Sequence, residues 1–132
     1  MLIDRWITDG SEPVLEQVLR FTAARHRLIA ENVVNISTPG YRQQDLSLER
    51  FQKLLADRAD RRRQSDFDSS SFDDVVGQSE DAHRGILFHD GQNRSMEELM
   101  SDQAKNALMH NLAIELLRRQ FQIIETALKE RL

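Results

Sequence analysis

Residues 95–132 read SMEELMSDQAKNALMHNLAIELLRRQFQIIETALKERL, with no glycine or proline. Ser95, followed by Glu98 three residues later, is a capping-box pattern in which each side chain satisfies a free backbone N–H of the first turn. A helix is therefore expected to open there. Along it Met100, Ala104, Ala107, Asn111, Ile114, Leu117, Phe121, Ile124 and Leu128 recur in steps of four and three, with one three-three slip at Ile114. That spacing is close to a heptad seam. Glu97, Asp102, Lys105, Arg118, Arg119, Glu125 and Lys129 occupy other faces. A helix over 96–132 would be about 55 Å long at ~1.5 Å per residue. A compact globule of this size should be only about 35–40 Å across. The mismatch predicts a rod-like element that packs against another helix of the chain and against further copies.

Upstream, Ser11 is placed to cap a helix whose first turn holds Glu12 and Pro13, where proline's missing N–H costs nothing. Leu15, Val18, Thr22, Ile29, Val33 and Ile36 fall on one face, with a polar gap at Arg25 and His26. Thr38 precedes Pro39 and is pushed out of the helical region, which sets the stop. Pro39-Gly40 suits the central positions of a type II turn. A shorter helix is expected over about 46–60, capped by Asp45 or Ser47, with Leu48, Phe51, Leu54 and Leu55 as its apolar face.

Between these parts, Gln64 to Ala82 carries Asp66, Asp68, Asp73, Asp74, Glu80 and Asp81 and no basic residue. Its sizeable apolar side chains are Phe67, Phe72, Val75 and Val76, too few to offset the entropy of ordering it. The expected organisation is an N-terminal helical segment (1–63), a flexible acidic linker (64–91) and a C-terminal long helix (92–132). The fold class is mainly α. The two long terminal helices pair as a rod-like hairpin or coiled coil, and the two helical parts form one domain.

The 132 residues hold 18 basic and 22 acidic side chains, a net charge of -4, which excludes a broad basic footprint for nucleic acid. The absence of cysteine excludes thiolate chemistry and disulfides. His26 and His110 stand alone on their helices. His83 and His89 lie in a loop without the spacing of a helical metal pair. Asp66 to Gly77 opens like a calcium loop but has Ser71 where glycine is required and Gly77 where a bidentate glutamate is required. Nothing matches a nucleophile elbow or a phosphate-cradling glycine loop. Arg61-Arg62-Arg63 reads as a solvated helix end favoured by the dipole. No catalytic, cofactor-binding or metal-binding residue is expected. Met1 to Gly10 has no basic start followed by an apolar core, so no cleaved signal peptide is expected either.

Asn32-Val-Val-Asn35-Ile-Ser-Thr38-Pro39-Gly40-Tyr41 resembles the signature of the flagellar rod, hook and hook-associated axial proteins. That signature is Asn, two small or apolar residues, Asn, then Thr-Pro-Gly-Tyr. Ala24 to Asn32, and Asp90-Gly-Gln-Asn93 followed by Glu97, Glu98, Leu99, Met100 and Asn106, resemble the flagellar basal body rod proteins, the small proximal member most of all. The likeness covers about 15–55 and 88–132. Arg94 stands where that family often has Val, and His110 where it often has Tyr. The resemblance implies a structural subunit with no enzymatic activity or cofactor. Such a subunit is exported without a cleaved signal peptide into the periplasm-spanning rod of the bacterial flagellum. It polymerises through paired terminal helices into the rod that transmits torque. It implies as partners copies of the chain, other rod subunits, and the base of the rod at the MS ring and export gate, with no nucleic acid and no direct membrane insertion. Asn32, Asn35, Thr38, Pro39, Gly40 and Tyr41 would form the assembly motif. Met100, Ala107, Asn111, Ile114, Leu117, Phe121, Ile124 and Leu128 would form the assembly face of the last helix.

Two other readings compete. A coiled-coil adaptor or export chaperone would bind partners through its terminal helix, but has no reason to carry the Asn-to-Tyr motif. A small helical nucleic-acid binder would use Arg61 to Arg63, but the acidic balance and the lack of interleaved aromatics oppose it.

Overall fold

The computed structural model of the chain describes residues 12–64, 76, 80–81 and 96–130. The architecture is mainly α. In chain order the elements are α1 (Glu12–Val34), β1 (Asp45–Leu46), α2 (Leu48–Gln64), β2 (Glu80–Asp81) and α3 (Met96–Glu130). The expected caps Ser11 and Ser95 lie outside the described residues, as do His83 and His89.

Helix α2 begins as its local chemistry requires. The Arg50 backbone N–H donates to Ser47 Oγ at 3.3 Å and the Phe51 N–H to Ser47 O at 3.0 Å. Ser47 is thus the N-cap, its hydroxyl satisfying one orphan donor of the first turn. Asp45, the other candidate, is engaged elsewhere. Phe51 and Leu55 then face the core, where they join Phe21 of α1 and Leu46 of β1. The Phe21 and Phe51 rings stack with centroids 4.1 Å apart and planes 17° from parallel. Val14, Val18, Leu28, Leu54 and Met109 pack around this cluster.

Val76 also packs against it, and Glu80–Asp81 pairs antiparallel with Asp45–Leu46, Leu46 opposite Glu80 and Asp45 opposite Asp81. The acidic segment, expected to act only as a linker, therefore supplies, among its described residues, the apolar Val76 and a short strand to the folded part. Its polarity does not prevent this, because a strand pairs through backbone groups that every residue carries.

Helices α1 and α3 lie side by side along much of α1. Thr22 meets Asn106 and His110, and Arg25, one turn later, meets Asp102, one turn earlier. The pair is antiparallel. With 35 residues α3 is roughly 52 Å long, against roughly 34 Å for the 23 residues of α1. In this register Glu12 falls near residue 115, so α3 runs about 15 residues, roughly 20 Å, past the described start of α1.

Candidate functional site

The end of α1 and the chain that follows form one hydrogen-bonded unit. Asn35 Nδ2 donates at 2.8 Å to Glu31 O, a carbonyl of the last turn that also accepts the Asn35 N–H at 3.1 Å, and Asn35 Oδ1 accepts from the Thr38 hydroxyl at 3.2 Å. The Thr38 N–H returns to Asn35 O at 2.9 Å. The Tyr41 N–H then donates to Thr38 O at 3.2 Å across Pro39 and Gly40, with Gly40 at φ +75°. A hydrogen bond closing a four-residue turn with positive φ at the third residue is type II geometry. Asn32, 1% exposed, fastens the returning chain to the helix: its Nδ2 donates to Gln44 O at 2.6 Å, and its Oδ1 accepts from the Tyr41 hydroxyl at 3.0 Å and from the Gln44 N–H at 3.1 Å. Burial, helped by the nearby Glu31 carboxylate, raises the Tyr41 pKa and keeps the phenol a donor. The six motif residues are thus brought together at one end of α1, with Asn32 at the centre.

A Cβ added at Gly40 would meet no atom within 4 Å, so its constraint is conformational and not steric crowding by neighbours. Gly40→Val is expected to cost about 1–3 kcal/mol, because a β-branched residue resists positive φ. Gly40→Asn should cost less, asparagine tolerating that region, and Tyr41→Phe about 1 kcal/mol for one lost hydrogen bond. Urea denaturation of the three variants checks the order. Equal losses for Val and Asn would mean that backbone conformation is not the constraint.

Beside this unit lies a second buried polar group. Arg25, 4% exposed, donates from Nε to Asp45 Oδ1 at 2.9 Å and from Nη2 to Asp45 Oδ2 at 2.8 Å, and its Nη2 stands 3.7 Å from Asp102 Oδ1. The hydrogen bonds to Asp45 raise its pKa against the opposing effect of burial, with further help from both carboxylate charges. The guanidinium thereby joins α1, β1 and α3 at one point. Asp45 Oδ1 also accepts the Leu46 N–H at 2.8 Å. One turn back on α1, Asn106 Nδ2 donates to Thr22 O at 2.8 Å, and the Thr22 hydroxyl lies 2.7 Å from His110 Nδ1. The same hydroxyl is within 2.9 Å of Val18 O and 3.0 Å of Leu19 O, where it finds an acceptor inside its own helix.

The face of α3 that meets α1 is not the stripe expected from hydropathy. Leu99, Asp102, Asn106 and Ala113 are its buried residues. Of the stripe, Ile114, Leu117 and Ile124 are half-buried, whereas Met100, Ala104, Ala107, Asn111, Phe121 and Leu128 are exposed. The seam contacting α1 escaped apolar counting because two of its four buried positions are polar. On the open side Leu108 is 71% exposed, Leu112 61%, Ile123 63% and Phe121 50%.

No family model matches the chain, and no curated protein matches it. Among the described residues no group of three or more acidic or histidine side chains is placed to hold a metal ion. No described helix is long and apolar enough to cross a membrane. Arg62 and Arg63 have no described side chains, while Arg61 pairs along its own helix with Asp57 at 2.9 Å, both exposed. Sequence reasoning passed over Arg25, Asp45, Asp102 and Asn106 as a group. The signal it offered was the polar gap at Arg25 inside an otherwise apolar stripe.

Proposed function

We propose that this chain is a structural subunit of the bacterial flagellar basal body, resembling the small proximal rod protein FlgB, and that it acts by assembly and not by catalysis. The observation that carries the proposal is the Asn32-to-Tyr41 unit, whose side chains are spent on fixing the chain's exit from α1. Such an investment suits a subunit whose terminal helices must leave a turn in one fixed direction and stack against neighbours. The antiparallel contact of α1 with α3 is consistent with a rod-like hairpin, and the length of α3 with a helix that reaches a neighbouring subunit. The exposed Phe121 and Leu128, with Leu108 and Leu112, offer the apolar area that polymerisation would bury, at about 25 cal/mol per Å². In this reading the partners are copies of the chain and adjoining rod subunits.

The test separates monomer folding from assembly. Phe121→Ser with Leu128→Ser should leave monomer stability within about 0.5 kcal/mol, as expected for exposed sites, yet remove the chain from purified basal bodies and abolish motility. Normal incorporation of this variant would exclude α3 as the assembly surface. An adaptor or export chaperone would instead stay in the cytoplasm bound to its partner and be absent from basal bodies even in its unaltered form.

A further inference from the structure

The contact between α1 and α3 is polar where a helix pair is ordinarily apolar. Gln17, Thr22, Arg25 and Asn32 of α1 and Asp102 and Asn106 of α3 are all buried. Two of their oxygens, Gln17 Oε1 and Asn106 Oδ1, are buried with no hydrogen-bond partner among the described residues. A seam selected for strength alone would place leucine at such positions. Buried ion pairs replaced by apolar residues of similar shape often leave stability unchanged or raised, and the best attested use of a buried polar residue between helices is to fix register.

The arrangement of partners shows what register would be fixed. If α3 slid one heptad so that Met109 took the place of Asp102, Arg25 would lose one of its two carboxylates and face a thioether. Thr22 would then face Ala113 in place of Asn106, and Asn106 would enter the apolar position of Leu99. If it slid the other way, Leu99 would face Thr22, and Asp102 would enter the place of Met109, beside the cluster built on Phe21. Each slip separates Asp102 from Arg25 and Asn106 from Thr22, and breaking buried polar contacts is far costlier than losing an apolar one. Apolar side chains of similar volume discriminate less, since leucine and methionine exchange at modest cost.

We propose that the layer Thr22–Arg25–Asp45 with Asp102–Asn106 is a register key, which admits one alignment of α3 against α1 and rejects helices that lack its pattern. It selects which helix, at which offset, α1 accepts. The claim goes beyond the rod reading and stands whether or not that reading holds.

The chain has no cysteine, so spin labels attach only where cysteine is introduced. Ala30→Cys and Arg119→Cys put labels on exposed positions of α1 and α3. In the observed register they are separated by roughly 33 Å along the helix axis, and a one-heptad slip changes that by about 10 Å. Pulsed dipolar spectroscopy on the full chain should give a single narrow distance. With the key's charges removed and its helix positions made apolar (Thr22→Val, Arg25→Met, Asp45→Asn, Asp102→Leu, Asn106→Leu), the chain should stay helical by circular dichroism and show a second distance displaced by about 10 Å. Asn106→Leu alone, which keeps the branched shape of asparagine, should raise Tm by a few degrees. A single unshifted distance in the helical apolar variant would overturn the proposal, since apolar packing and the turn would then set the register. Unfolding of that variant would overturn it as well, because the polar layer would be a source of stability and not of selectivity.

Discussion

Arg25→Leu is expected to destabilise the fold by about 3–5 kcal/mol, the usual cost of removing one partner from a buried ion pair. The loss is large because the buried guanidinium serves both Asp45 and Asp102, 5% and 6% exposed, and its removal takes away the cation they share. The charge itself, and not the side-chain volume, is the cause. Adding Asp45→Asn and Asp102→Asn to Arg25→Leu should therefore recover about half of the loss or more, since neutral amides carry a smaller desolvation penalty. Urea denaturation of the single and triple variants measures both quantities. A single variant within 1 kcal/mol of the unaltered chain would show that water reaches the cluster and screens it.

Phe51→Ala is expected to cost about 3–5 kcal/mol, as for other buried aromatic truncations. The ring is 1% exposed and stacks on Phe21, which is fully buried, and it is the principal attachment of α2 to α1. The loss should fall on α2 first. Hydrogen exchange should show protection lost over residues 48–64 while residues 99–113 keep most of theirs, since the latter are held mainly by α1. Equal loss of protection in both regions would mean that the three helices unfold as one unit.

These two residues mark the limits of reading this chain from its sequence. Phe51 is legible: it sits at helical spacing with Leu48, Leu54 and Leu55, after a cap residue, and local pattern suffices to place it on a buried face. Arg25 is not. Hydropathy records it as a break in an apolar stripe, and nothing nearby reveals that its partners are Asp45, twenty positions on, and Asp102 on the far side of the acidic segment. Asp102 and Asn106 are hidden for the same reason. A polar residue enters a core only with its partner, and pairing over such separations leaves no trace in local periodicity. The stripe running from Met100 to Leu128 was legible as apolar, yet periodicity cannot say whether such a stripe meets another part of the chain or another molecule. In the folded chain most of it is left exposed, and the seam facing α1 combines Leu99 and Ala113 with the polar Asp102 and Asn106. Val76 and the β1–β2 pair were hidden by composition, because among the described residues the acidic segment contributes the half-buried Val76 and paired backbone groups that no count of apolar residues would select.

The central claim is that the chain is built into the flagellar rod. It is tested most directly by purifying basal bodies from cells that produce it, with and without the chain, and imaging them at side-chain resolution. The account predicts density for α1 and α3 within the proximal rod, with Asn32, Tyr41 and Gly40 at the bend after α1, and rods that fail to form when the chain is missing. Complete rods in cells lacking the chain, with no corresponding density in cells that make it, would contradict the account.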